Sequence, residues 1–232
     1  MDHFMMLQTA FDAFNTQDFS KARELFEILS AQNNPTALSS LGYLYQQGLG
    51  VEKSPQQAYE YYTRAADLEE PTALFNLALM YADGIVVTHD QFKTHELLIR
   101  SAVLNFPQAQ YEAALSLERG LGCVQNFSEA AFWYEEAAKR GHAGAFNNLG
   151  VLFKEGHGVI QDYSKAFICF SRGAKLDIAE SQYNLGLMYD QGFGCDADHD
   201  VALEWCRKAA YNGHEKAKAI IQGLQEEGKI VW

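Results

Sequence analysis

Proline is scarce in this chain, with four in 232 residues, and so is positive charge, with 18 Lys and Arg against 30 Asp and Glu. Each shortage excludes something. Proline inside a helix removes a hydrogen bond and costs about 3 kcal/mol, so its scarcity leaves room for long helices. A net charge of −12 argues against a nucleic-acid binder, whose phosphate contacts need Lys and Arg, and against docking on anionic lipid. No apolar run approaches the roughly 18 residues that would span a bilayer. The start, Met1-Asp2-His3-Phe4-Met5-Met6, is acidic and meets no Lys or Arg before Lys21, whereas a secretory signal needs a basic start. The expectation is a soluble cytoplasmic protein; export by a specialised secretion system would escape such a test.

Catalytic and metal signatures are missing too. The four cysteines, Cys123, Cys169, Cys195 and Cys206, form no CxxC pair, which reads as buried or incidental thiols in a reducing compartment. The seven histidines make no HExxH and no i,i+4 pair, and no GxSxG, phosphate loop or dinucleotide fingerprint occurs. His142 and His214 share a phase, which suggests a structural role in a turn; His157, in a Gly-His-Gly loop, reads as a surface residue. No catalytic residue, metal ligand or cofactor is expected, and the chain is read as a non-enzyme.

What is present is a period. Steps of 36 from Gly48 give Gly84, Gly120, Gly156, Gly192 and Gly228. Steps from Ala37 give Ala73, Ala109, Ala145, Ser181 and Ala217, and Ala66 leads to Ala102, Ala138, Ala174 and Ala210. Several columns in phase over most of a chain mark repeat architecture. Within one unit, Pro35 opens a helix where its missing N–H is no loss, and Ala37, Leu41, Leu44 and Tyr45 make one apolar face. Gly48 sits just past the end, where a left-handed residue stops a helix. Ser54-Pro55 then reads as an N-cap and first turn, and Ala58, Tyr61, Tyr62, Ala65 and Ala66 form the second helix's stripe. Small columns (Gly42, Ala78, Ala114, Gly150, Gly186) predict crossings where helix axes come within about 8–10 Å. Tyr45, Tyr81, Leu117, Phe153 and Tyr189, with Trp133 and Trp205, are expected to fill the core between them. Asn76, Asn148 and Asn184 also share a phase and predict a backbone hydrogen bond in each copy.

The pattern Ala-x3-Leu-Gly-x2-Tyr-x2-Gly-x-Gly-Val, followed by Ala-x2-Tyr-Tyr-x2-Ala-Ala, resembles the Sel-1-like repeat, a relative of the tetratricopeptide repeat. It is clearest over 35–70, 143–178 and 179–214, and covers about 180 residues. The resemblance implies an all-α fold, a right-handed α/α superhelix (solenoid) of helix–turn–helix repeats, and adaptor-type binding. The expected organisation is one continuous solenoid domain. It has a capping helical hairpin at 1–34, five repeats (35–70, 71–106, 107–142, 143–178, 179–214), and a capping helix and tail at 215–232. Copy two departs from the pattern in Gly84-Ile85-Val86-Val87, which loses the second loop glycine, and in Thr94, which replaces the alanine; copy three has Ala113 where leucine is usual.

In tetratricopeptide-like arrays the first helix of each hairpin lines the concave surface. By phase, that puts Ser39, Phe75, Tyr111, Asn147 and Tyr183 in one exposed column and Tyr43, Leu79, Leu115, Val151 and Leu187 in the next, with Asp83, Glu118 and Arg119 one turn on. The expected partner-binding set is Tyr43, Phe75, Leu79, Asp83, Tyr111, Leu115, Glu118, Arg119, Asn147, Tyr183 and Leu187. Aromatic anchors beside an acidic edge fit a protein or peptide with apolar anchors and positive charge. The favoured function is a non-catalytic scaffold or adaptor; the alternative is a dedicated inhibitor of one partner, such as an immunity or antitoxin protein. A third reading, a β-lactam-binding or hydrolysing enzyme, comes from cysteine-rich relatives with a cysteine pair in each repeat, and such pairs are missing here.

Overall fold

A computed structural model describes residues 3–227, and among them are thirteen helices and no strand. They are α1 (His3–Asn15), α2 (Phe19–Ser30), α3 (Pro35–Gln47), α4 (Pro55–Ala66), α5 (Pro71–Asp83), α6 (Gln91–Val103), α7 (Pro107–Arg119), α8 (Phe127–Lys139), α9 (Ala143–Glu155), α10 (Tyr163–Lys175), α11 (Ala179–Gln191), α12 (His199–Tyr211) and α13 (Glu215–Glu226). The fold is an all-α solenoid of helical hairpins, and the odd-numbered helices from α3 onward start 36 residues apart. The last member of the glycine column, Gly228, lies outside the described residues.

The termini of these helices follow from local chemistry. Pro35, Pro55, Pro71 and Pro107, every proline in the chain, stand at the first position of a helix. Asn34, Ser54, Asp90, Asn126 and Asp162 accept a hydrogen bond from the backbone N–H three residues on, which satisfies a donor the helix leaves free. Gly48, Gly84, Gly120, Gly156 and Gly192 end the first helices in the left-handed conformation. A second left-handed column falls between hairpins: Asn33, Glu69, Asn105, Gly141, Asp177 and Gly213.

The packing follows the size columns. Gly42 lies against the buried Tyr62, where an added Cβ would come 2.6 Å from the ring, and Gly150 lies against Phe170, where it would come 2.7 Å away. In copy two the position holds Ala78, and the residue in the register of Tyr62 and Phe170 is the smaller Leu98. Thr94, which replaces the alanine of the second helix, satisfies its hydroxyl by donating to the Asp90 carbonyl at 2.8 Å.

The chain divides into two compact units, one running to Ser116 with Gly120–Val124, the other taking Leu117–Arg119 and everything from Gln125 on. In the first, Ala22, Phe26, Leu29, Ala37, Leu41 and Leu44 form a core under α1, with Phe11 packed edge-on against Phe26. Each large apolar side chain buried there contributes about 1.5–3 kcal/mol. Arg64 and Arg100 each reach back to a carbonyl at the end of the preceding second helix, of Ser30 at 3.3 Å and of Ala66 at 3.2 Å. In the second unit, Ala166, Phe170, Ala174, Leu185 and Met188 form one core and Ala209, Ala210, Ala217 and Ile221 another.

Candidate binding surface

The first helices of successive hairpins touch within each unit, α3 with α5 and α9 with α11. Their common face is where a partner was expected, and the sequence-predicted residues divide between the two units.

In the first unit, Tyr43 is 42% exposed and its ring lies 6.0 Å from that of Phe14; Leu79, one repeat on, is 37% exposed. Asp83 is exposed at the end of α5, while Tyr111 and Leu115 are half-buried. Tyr43 borders a cleft of about 370 Å³ formed by α1, α3 and α5, together with Phe11, Phe14, Thr72 and Asn76. One expectation is corrected here, and a second residue is found partly covered. Ser39, placed in the exposed column, is only 6% exposed, because the same helix turn also carries the core residues Leu38 and Leu41. Phe75 is half-buried, its ring 5.3 Å from that of Phe106, so it packs on the residue that precedes α7.

In the second unit, Glu118, Asn147 and Asn184 join a polar network. The Tyr134 hydroxyl donates to the Glu118 carboxylate, and Asn148 Nδ2 donates to Tyr134 at 3.1 Å. Asn147 Nδ2 donates to Asn148 at 3.2 Å, and Asn184 Nδ2 to Asn147 Oδ1 at 3.0 Å. The recurrent asparagines therefore link side chain to side chain at Asn184, not side chain to backbone. The cause lies one layer down. Buried Tyr62 donates to Gln46 at 2.8 Å in the first unit, and Tyr134 stands in the same register over Glu118. A buried phenol needs an acceptor, and the residue 16 positions earlier supplies it. Where the register holds Leu98 or Phe170, that earlier residue is Ala82 or Lys154.

Arg119 is exposed, and Leu187 is half-buried. Tyr183 stacks on His214, centroids 4.2 Å apart, and His214 Nδ1 accepts from the Ala217 N–H at 3.2 Å as the N-cap of α13. That gives His214 the structural role its phase implied. Its counterpart His142 precedes α9, and burial lowers its pKa. Exposed His157 lies 3.3 Å from Glu155 and tilts over Phe127.

Three of the four thiols are shifted toward their protonated form. Burial pushes Cys169 up to about 11 and raises Cys206 and Cys195 as well. A thiolate is the reactive form of cysteine, so none of these three is an activated nucleophile. Among the described residues no group of three or more His, Cys, Asp or Glu is placed to hold a metal ion.

Paired helices at a fixed 36-residue pitch, with glycine-closed turns and small-residue crossings, define an interaction-type helical repeat. The Sel1 repeat profile matches residues 16–34, 35–69, 71–105, 107–142, 145–178 and 179–214. The chain belongs to the Sel1 repeat family, whose members are generally protein-interaction modules. It is similar to a Sel1 repeat protein from Oxalobacter formigenes, with 29% identity and a TM-score of 0.87 over 97% of this chain and 89% of that one. It shares its fold with a protective antigen present in uropathogenic Escherichia coli strains, at 24% identity and a TM-score of 0.66; the match covers 98% of this chain and 57% of that longer one. An immunity protein from Pseudomonas aeruginosa, at 18% identity and a TM-score of 0.48 over 83% of this chain and 74% of that one, is too distant to bear on function.

Proposed function

We propose that this protein is a non-catalytic scaffold or adaptor that binds a partner protein or peptide through the concave groove lined by its first helices. The observation that carries this reading is the pair of apolar side chains left open in one column of that face, Tyr43 on α3 and Leu79 on α5, with Asp83 exposed one turn beyond Leu79. Aromatic side chains open to solvent bury much area on binding at little cost in entropy, and an acidic margin selects for a basic partner. A net charge of −12 favours such a partner over nucleic acid or anionic lipid. No helix among the described residues is long and apolar enough to cross a membrane, and the reading takes the cytoplasm as the place of work.

The test is cross-linked affinity capture from the source organism, with partners quantified by mass spectrometry. The wild type is compared with Tyr43→Ala/Leu79→Ala, two positions exposed enough to change without opening the core. The expected result is loss of one or a few specific partners by the double variant. Equal recovery of every partner would sink the groove reading.

A further inference from the structure

A cleft of about 410 Å³ opens where α11, α12 and α13 meet. Its walls are aliphatic: Leu187 from α11, Leu203 from α12, and Ile220 and Leu224 from α13. Ile220 is 41% exposed although it is a large apolar residue, and Leu187, Leu203 and Leu224 are each half-buried. Gly186 keeps one side of the cleft low, because its backbone lies so near α12 that an added Cβ would come 3.0 Å from the Ala202 carbonyl. Volumes of this order hold ligand groups of several side chains in other proteins.

The rim is charged with one sign. Asp190 and Asp200 border the opening, and Asp190 Oδ1 lies 2.8 Å from His199 Nδ1. Asp190 is well exposed, and the partner beside it is the ring of His199, not a Lys or Arg. The asymmetry extends along the chain: between Lys175 and Arg207 stand Asp177, Glu180, Asp190, Asp196, Asp198, Asp200 and Glu204, and not one Lys or Arg. An apolar trough with an acidic margin attracts a segment that has the opposite margin, since unlike charges steer encounter and like charges at an interface repel.

We propose that this cleft seats a cationic amphipathic segment of a partner protein, its aliphatic or aromatic side chains among Leu187, Leu203, Ile220 and Leu224 and its Lys or Arg side chains against Asp190 and Asp200. The proposal rests on the reading of the first-helix face as a protein-binding surface and assigns one stretch of that face its partner chemistry. Tyr43 and Leu79, which belong to the other unit, serve as the control for the wider reading.

The test is fluorescence anisotropy with three labelled peptides of about 14 residues. The first has leucines at i, i+3, i+4 and i+7 with lysines elsewhere, the second has glutamate for each lysine, and the third has the first composition scrambled so that the leucines share no face. The first is expected to bind in the micromolar range, and the other two about ten-fold more weakly or worse. Ile220→Glu should weaken the first peptide about ten-fold with unchanged circular dichroism and melting temperature. Asp190→Asn/Asp200→Asn should weaken it about three- to ten-fold and flatten its salt dependence. Equal binding of the lysine and glutamate peptides, or full affinity in Ile220→Glu, overturns the proposal. So does a concentration-dependent dimer in light scattering that Ile220→Glu abolishes, which would assign the cleft to a second copy. If Tyr43→Ala/Leu79→Ala loses the peptide while Ile220→Glu keeps it, the cleft proposal fails and the wider groove reading stands. If none of these variants changes peptide binding and partner recovery is also unchanged, both fail.

Discussion

Gly158 and Val86 occupy equivalent places in the loops of copies four and two, and both hold a left-handed backbone, φ 68° and 70°. The turn imposes that angle whatever the side chain. At Gly158 the glycine does a second thing: an added Cβ would fall 2.3 Å from the Phe127 carbonyl carbon, so the loop is seated on the first turn of α8. Gly50, Gly122 and Gly194 also lie close on Phe19, Gln91 and Tyr163, where an added Cβ would come within 2.8, 1.9 and 2.3 Å. A valine would put its Cβ into that space, and in the copy-two loop Ile85 and Val86 are 51% and 40% exposed. The comparison separates two reasons for one glycine column: the left-handed angle, which a β-branched residue tolerates at a cost, and close seating, which it does not.

The largest test exchanges the residues. Gly158→Val combines a left-handed strain of about 1–2 kcal/mol with overlap costing about 1–3 kcal/mol more. Urea denaturation should show a loss of about 3 kcal/mol, and a loss below about 1 kcal/mol would mean that seating is unimportant. The helix crossing offers the next test. Gly42→Ala places a methyl carbon against the Tyr62 ring and should cost about 1–2 kcal/mol despite alanine's better helix propensity. In a Tyr62→Leu background, which imitates the Ala78 and Leu98 pairing of copy two, that penalty should shrink to about zero in a double-mutant cycle. The reverse loop exchange, Val86→Gly, relieves strain but frees the unfolded chain, for a net gain of about 0.5 kcal/mol and a melting temperature higher by about 1–2 °C. A clear destabilisation would show that the valine makes contacts worth more than its strain.

The smallest effect concerns the register of Arg64 and Arg100, where copy three has Glu136. The Arg140 and Lys139 hydrogen bonds hold its carboxyl below the usual carboxylate range. A depressed folded-state pKa stabilises above the unfolded value, near about 4.3, and that stabilisation is lost as pH falls through the folded value. Exposed pairs of this kind contribute little, so Glu136→Gln should cost about 0.5 kcal/mol or less at pH 7, and nothing once acid has protonated the wild type. A difference that persists at pH 2 would assign the effect to packing.

Much of this was legible beforehand. The helix ends were, because Pro35 acts through its own ring and Ser54 through a hydroxyl that reaches only three residues on, and so were the 36-residue pitch and the small-residue crossings. The copy-two departure at Val86 was visible as a missing glycine. Its consequence was not, since the close seating depends on a helix 31 residues earlier in each other copy, as with Gly158 and Phe127. At the binding face, phase alone put Ser39, Phe75 and Tyr43 on one side of their helices. It could not tell that Phe106 covers Phe75, or that a buried Tyr134 turns to Glu118. Asn148 and Asn184 announced themselves by phase, but the side chains they donate to, Tyr134 and Asn147, are brought near only by packing.

By itself the sequence determined the fold, because periodicity, caps and turn residues act within a few residues of one another and repeat without conflict. Tertiary structure decided which side chains of a periodic face remain free. Two residues in the same column differ in exposure according to what the next helix brings against them, and that is a property of neighbours 20 to 40 residues away. Phe75 is half-covered by Phe106 for that reason, while Tyr43 is left 42% exposed.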